Sequence, residues 1–157
     1  MDDLVRSLQL LEPNLRGLSL GFVEGSPIIR GLVKGLHLPA PLPLLGGGVV
    51  RLVEILLAVV TSTDALVLVD EIENGLYHKN LEAVWRAIDS ASRDANAQIF
   101  ATSHSLECVE AAVSAFADGS ARDFLLHRLE RKNEEARVIT YDQQTARSAL
   151  EMNLEVR

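Results

Sequence analysis

Two carboxylates stand side by side at the end of an apolar run, Leu66-Val67-Leu68-Val69-Asp70-Glu71. The almost purely apolar stretch 65–69 has the pattern of a strand buried on both faces of a parallel sheet. Ligands of open α/β sheets bind at the carboxyl ends of the strands. Asp70 is therefore placed to hold a magnesium ion, directly or through water. Glu71, one residue on, points elsewhere and could orient or deprotonate a water that attacks a phosphate. The plainer alternative is an apolar strand that simply ends in polar residues.

A second short apolar run, Ile99-Phe100-Ala101, ends at Thr102-Ser103-His104. The spacing from Asp70 leaves room for one crossover helix between neighbouring parallel strands, so both strand ends would face one crevice. A neutral imidazole there can donate to a phosphate oxygen. Alternatively, Ser103 or Ser105 caps the next helix and His104 sits in a loop. The third feature is Gly46-Gly47-Gly48, which opens a helical pattern. Backbone N–H groups at a helix start attract anions, and glycine permits close approach. A flexible joint would read the same way.

These residues need elements to position them. Leu4, Val5, Leu8 and Leu11 follow helical spacing, which Pro13 stops. Residues 15–22 alternate loosely, with Leu18, Leu20 and Phe22 on one face. The stretch 24–27 reads as a turn and 28–33 as a second strand, giving a small hairpin. Pro39, Pro41 and Pro43 should break any regular element. Residues 49–60 read as a helix with Leu52, Val53, Leu56, Leu57 and Val60 on its apolar face. Residues 80–95 read as a helix with Leu81, Val84, Trp85 and Ile88 inward, 97–101 as a strand and 105–117 as a helix. Two strands, 123–129 and 137–141, flank a turn at 132–134. A last helix, 142–150, has Asp142 as its N-cap. The β-α-β-α order from residue 65 implies right-handed parallel crossovers.

Composition narrows the function classes. The 157 residues carry a net charge of −7, which argues against a broad phosphate-backbone binder. Aromatics are only 4%, too few for a base-stacking platform. Cys108 is the single cysteine, so no intrachain disulfide or Cys-rich zinc site can form. We expect Cys108 and Trp85 in the core. His37, His78 and His127 lack zinc-ligand spacing, and the charged run 130–135 reads as a solvated turn. His78 could touch a partner subunit or open the next helix. No apolar run approaches the roughly 20 residues of a membrane span, and the acidic start predicts no signal peptide. These features predict a cytoplasmic protein with no membrane partner.

The order and spacing of the three features resemble the C-terminal half of an ABC-type ATPase head, nearest to the AAA-type ATPases akin to OLD, RecF and SMC proteins. The run Asp70-Glu71-Ile72-Glu73-Asn74-Gly75-Leu76-Tyr77-His78 and the run Ala101-Thr102-Ser103-His104-Ser105 look very like that family. The resemblance covers residues 40–120 well and the flanks loosely. It implies that Gly46, Gly47 and Gly48 occupy the nucleotide-binding signature position. Residues 65–71 then form Walker B, with Asp70 as the metal carboxylate and Glu71 as the catalytic one. Asn74, in Glu73-Asn74-Gly75-Leu76, falls in the nucleotide-contacting D-loop. The same resemblance makes His104 the catalytic switch histidine that senses the γ-phosphate.

Two departures stand out. Leu45 replaces the serine that normally precedes the signature glycines. No Gly-x-x-x-x-Gly-Lys-Ser/Thr occurs anywhere in the chain, so no loop with its lysine wraps the β- and γ-phosphates.

The resemblance implies an α/β fold: a partial P-loop NTPase parallel sheet flanked by helices, with a small β hairpin on its N-terminal side. Residues 1–157 are expected to form one C-terminal ATPase lobe. Within it, 1–43 hold the first helix and hairpin, 44–120 the motifs, and 121–157 a second hairpin and the last helix. The expected cofactors are ATP and Mg2+, in a complete ATPase. The expected partner is a P-loop-containing N-terminal half or subunit, within a nucleotide-dependent homodimer that meets DNA only through a larger assembly. Alone, the chain should be inactive. The alternative is a non-catalytic interaction or regulatory module that keeps the ATPase-like fold.

Overall fold

A computed structural model describes residues 2–117, 124–132 and 135–152. They divide into two compact units, Met1–Thr102 and Ser103–Arg157. The first unit opens with α1 (Asp2–Leu8), whose Leu8 is fully buried. Strands β1 (Leu15–Val23) and β2 (Ser26–Val33) pair as the expected antiparallel hairpin. Its turn uses left-handed backbone at Glu24 and Gly25. Leu20 and Phe22 share one face of it, and that face is exposed, at 79% and 71%.

The proline segment is more regular than its composition predicts. Ala40–Pro41 forms a short strand, β3, paired with Gly31 and Arg30 of β2, and Leu42–Leu45 forms one 3-10 turn. Both placements spare the missing proline N–H. Pro41 sits on an edge strand and Pro43 in the first turn of a helix, where no donor is needed.

Helix α2 (Gly47–Val60) follows and supplies much of the core. Its buried side chains are Val49, Leu52, Val53, Ile55, Leu56 and Val59. The apolar face is thus rotated from the expected one, since Val60 is exposed and Leu57 only half-buried. A helix apolar nearly all round leaves its inward face to be decided by packing.

Strand β4 (Leu66–Val69) pairs in parallel with β5 (Gln98–Ala101), and α3 (Leu81–Ala95) makes the crossover. This is the α/β arrangement read from the sequence. One expectation fails: β4 is not buried on both faces. Val67 and Val69 are buried, whereas Leu66 and Leu68 are 55% and 74% exposed. The described residues cover only one face of the pair. In α3, Leu81, Val84 and Ile88 are buried as predicted, but Trp85 lies half-buried at the edge of that face.

In the second unit, α4 (Leu106–Ala115) begins after Ser105, whose hydroxyl accepts the Cys108 N–H. Cys108 is fully buried, as expected of a small apolar residue. Strands β6 (Leu125–Lys132) and β7 (Glu135–Asp142) form an antiparallel hairpin, and α5 (Gln143–Glu151) follows. Val109 and Val113 of α4 meet Ala146 and Ala149 of α5 in a small core. Asp142 is the N-cap, accepting from Thr145 N–H. The predicted start of one strand at Asp123 and part of the turn at Asn133 and Glu134 lie outside the described residues.

Candidate functional site

The chemistry-bearing residues of the first unit gather where β4 ends. Val69 is the last buried residue of the strand, and the chain then leaves the sheet abruptly. Asp70 is exposed, and Glu71 takes a left-handed backbone with φ of 45°. A non-glycine residue there costs on the order of 1–3 kcal/mol, so its surroundings must hold it. Ile72, only 1% exposed, anchors the loop to the core. Two successive turns follow. Asn74 N–H donates to Glu71 O at 3.0 Å and Leu76 N–H to Glu73 O at 2.9 Å, and Gly75 supplies φ of 77°.

Three side chains fix the carboxylate pair. Thr102, just past β5, accepts the Glu71 N–H at 2.8 Å and donates its own proton to Asp70 Oδ1. The Asn74 side-chain amide donates to Glu71 Oε2. Arg51, on α2, donates through Nη2 to the carbonyl of Asp70 at 2.6 Å and to that of Glu71 at 3.4 Å. The backbone continues the sheet beyond its formal end, with Ile72 N–H donating to Thr102 O at 3.0 Å.

The glycines lie beside this loop. Gly46, with φ of 110°, is the N-cap of α2 and has no side chain to satisfy the first N–H groups. Gly48 sits so close to the loop that a Cβ there would stand 3.0 Å from the Gly75 carbonyl oxygen. A Cβ on Gly47 would meet nothing within 4 Å. Leu45 Cδ1 lies only 2.6 Å from where a Cβ on Gly31 would stand, so the glycine of β2 makes room for it. A half-buried Leu45 therefore packs onto the hairpin, which explains an aliphatic residue before the glycines.

Asp70, Glu71, Asn74 and Gly46–Gly48 thus gather within the first unit. His104 belongs to the second unit, exposed on the loop before Ser105. The sequence alone gives Arg51 and the Thr102 hydroxyl no role. Arg51 lies one helical turn past Gly47, a spacing that puts it on the same side of α2. Thr102 follows a strand paired in register with β4, which brings it opposite Asp70.

Among the described residues, no group of three or more His, Cys, Asp or Glu could hold a metal by itself. The donor set fits magnesium that is shared with phosphate, for which one or two carboxylates suffice. Asp70 offers such a carboxylate: it is exposed, and its Oδ1 is already supported by a hydroxyl. No helix among the described residues is long and apolar enough to cross a membrane.

Comparison with solved structures places this fold. The chain superposes on a structure from a study of ATP-driven dimerization and DNA-stimulated activation of SMC ATPases. The TM-score is 0.58 at 15% identity, with 97% of this chain and 91% of that one covered. It also superposes on the SMC head domain from Thermotoga maritima, at a TM-score of 0.56 and 21% identity. That match covers 89% of this chain but only 46% of the other, so this chain spans about half the length of the Thermotoga maritima domain. No match occurs among curated proteins. A family model matches residues 2–110, well over half of the sequence, and the chain belongs to that family, described as "AAA domain, putative AbiEii toxin, Type IV TA system".

Proposed function

We propose that this chain is the carboxylate-bearing C-terminal lobe of an ATP-hydrolysing domain and acts with a P-loop-containing half or subunit. The observation that carries the reading is the fixed Asp70-Glu71 pair at the carboxyl end of a parallel strand. Thr102 and Asn74 tie down its side chains, and Arg51 its backbone. Asp70 serves as the metal carboxylate. Bound magnesium would neutralise charge on the phosphate oxygens. Glu71 acts as the general base that takes a proton from the attacking water. Asn74 holds Glu71 through one carboxylate oxygen, which leaves the other for the water.

His104 is assigned as the γ-phosphate sensor, by its place in the Thr102-Ser103-His104 run. Gly47 and Gly48, after a Gly46 whose own N–H donates to Pro43 O at 3.3 Å, offer backbone N–H groups to a phosphate that belongs to a second copy, and this would make pairing nucleotide-dependent. The open space around Gly47 leaves room for such an approach. DNA is met only through a larger assembly, since the chain is acidic. Residues 1–157 function in this reading as one lobe.

The sequence holds no Gly-x-x-x-x-Gly-Lys-Ser/Thr, so the isolated chain lacks the groups that cradle the β- and γ-phosphates. Calorimetric titration of the isolated chain with Mg-ATP should give no measurable binding in the micromolar range. A micromolar Kd would overturn the division of labour and require a phosphate site within this chain.

A further inference from the structure

The pairing of β4 with β5 ends at Val69 opposite Ala101, yet the hydrogen bonds run one residue further. Thr102 N–H donates to Val69 O at 2.9 Å, and Thr102 O accepts from Ile72 N–H at 3.0 Å. The Thr102 backbone is therefore held from both sides, next to Asp70. Its hydroxyl touches the Glu71 N–H at 2.8 Å and Asp70 Oδ1.

The direction of each bond follows from elementary chemistry. An amide N–H only donates, an ionised carboxylate only accepts, and a hydroxyl carries one proton. The proton goes to Asp70, and an oxygen lone pair takes the Glu71 N–H. One hydroxyl thus fixes the side chain of one carboxylate residue and the backbone of the next. The backbone it fixes is the left-handed one at Glu71, which no ordinary strand end would adopt.

We propose that Thr102 is the positioning residue of the pair. It holds Asp70 by Oδ1, so that Oδ2 is the oxygen presented to a divalent cation, and it keeps Glu71 in its left-handed turn. Thr102 itself touches neither metal nor nucleotide. The proposal rests on Asp70 as the metal carboxylate, and the test separates the two ideas. A hydroxyl behind a metal carboxylate is worth about 10–100-fold in metal affinity when lost.

The experiment uses the full chain, with Mn2+ and inorganic phosphate together as the probe, since the donor set fits a metal shared with phosphate. Two NMR signals are followed: paramagnetic broadening at residues 70 and 71, and hydrogen exchange of the Glu71 amide. Thr102→Val keeps the shape and removes the hydroxyl. Thr102→Ser keeps the hydroxyl and removes the methyl, and Thr102→Ala gives a second hydroxyl-free variant should Val disturb the fold. The hydroxyl-free variants should need 10-fold or more Mn2+ for equal broadening and, with one hydrogen bond lost, exchange the Glu71 amide about 5–10-fold faster. The Ser variant should restore both.

Parent-like behaviour of Thr102→Val in both signals overturns the proposal. So does the reverse pattern, in which Ser is impaired and Val is not, since that marks a packing role. If Mn2+ leaves residues 70 and 71 of the parent unbroadened, the metal assignment of Asp70 fails and the metal half of the proposal falls with it. The Glu71 exchange rates then decide the other half by themselves.

Discussion

Gly48 and Gly75 meet backbone to backbone: a Cβ on the first would lie 3.0 Å from the carbonyl oxygen of the second. The start of α2 and the loop after Glu71 are therefore one packed unit. The glycine run cannot be a free joint at Gly48, whereas Gly47 faces open space.

This contrast gives a first prediction. Ala has a better helix propensity than Gly by about 1 kcal/mol, and both positions lie in the first turn of α2. Gly47→Ala gains part of that preference without a contact. Gly48→Ala must displace a backbone carbonyl. Denaturant midpoints should therefore rank Gly47→Ala above Gly48→Ala. Equal midpoints would mean that the loop yields freely.

Arg51 provides a second prediction. Its guanidinium spans the Asp70 and Glu71 carbonyls, and a hydrogen bond from a charged donor is worth about 1.5–3 kcal/mol. Arg51→Met keeps the apolar stem and should lower stability by about 1–2 kcal/mol at an unchanged denaturant slope. Arg51→Lys should recover only part, because the lysine ammonium ends one bond short of the position of Nη2, the nitrogen that makes both bonds. A Met variant as stable as the parent would show that the loop holds without this link.

What the sequence displayed, and what it hid, follows from the range of each interaction. The hairpin turn at Glu24 and Gly25, the crossover between β4 and β5 and the Asp142 cap are local patterns, readable from neighbouring residues. The apolar run 65–69 marks a strand, but composition alone does not say how many of its faces are covered. Leu66 and Leu68 are exposed because covering is a property of the assembled layers. Asp70 and Glu71 were visible as residue types at a strand end. Their supports were not, because Thr102 and Arg51 reach them across some 30 and 20 positions of chain. Leu45 departs from the resembled pattern, and the room for it comes from Gly31 on another element, which no local pattern displays.

A third prediction concerns pH. The Asp142 carboxyl is held below its ordinary value of 3.8, first by the Thr145 hydroxyl and then by the Thr145 N–H. A carboxyl with a lowered folded pKa adds stability above its unfolded value and loses that contribution as pH falls through the folded one. The first turn of α5 should therefore loosen only below pH 3.8. NMR should show the Thr145 amide moving with the Asp142 carboxyl in that window. Asp142→Asn keeps a capping oxygen and should abolish the titration. Movement of Thr145 at higher pH would assign the cap to another group.

Glu71 is proposed to take the proton in ATP hydrolysis, and Glu71→Gln probes that role. The substitution keeps size and shape, and the amide oxygen can still accept from Asn74. Steady-state turnover is measured in the ATPase assembled with its P-loop half, beside Mg-ATP binding. Binding should persist while turnover falls about 10²–10⁴-fold, the usual worth of a general base. Turnover close to that of the parent, with binding intact, would contradict that role and transfer the proton to another group.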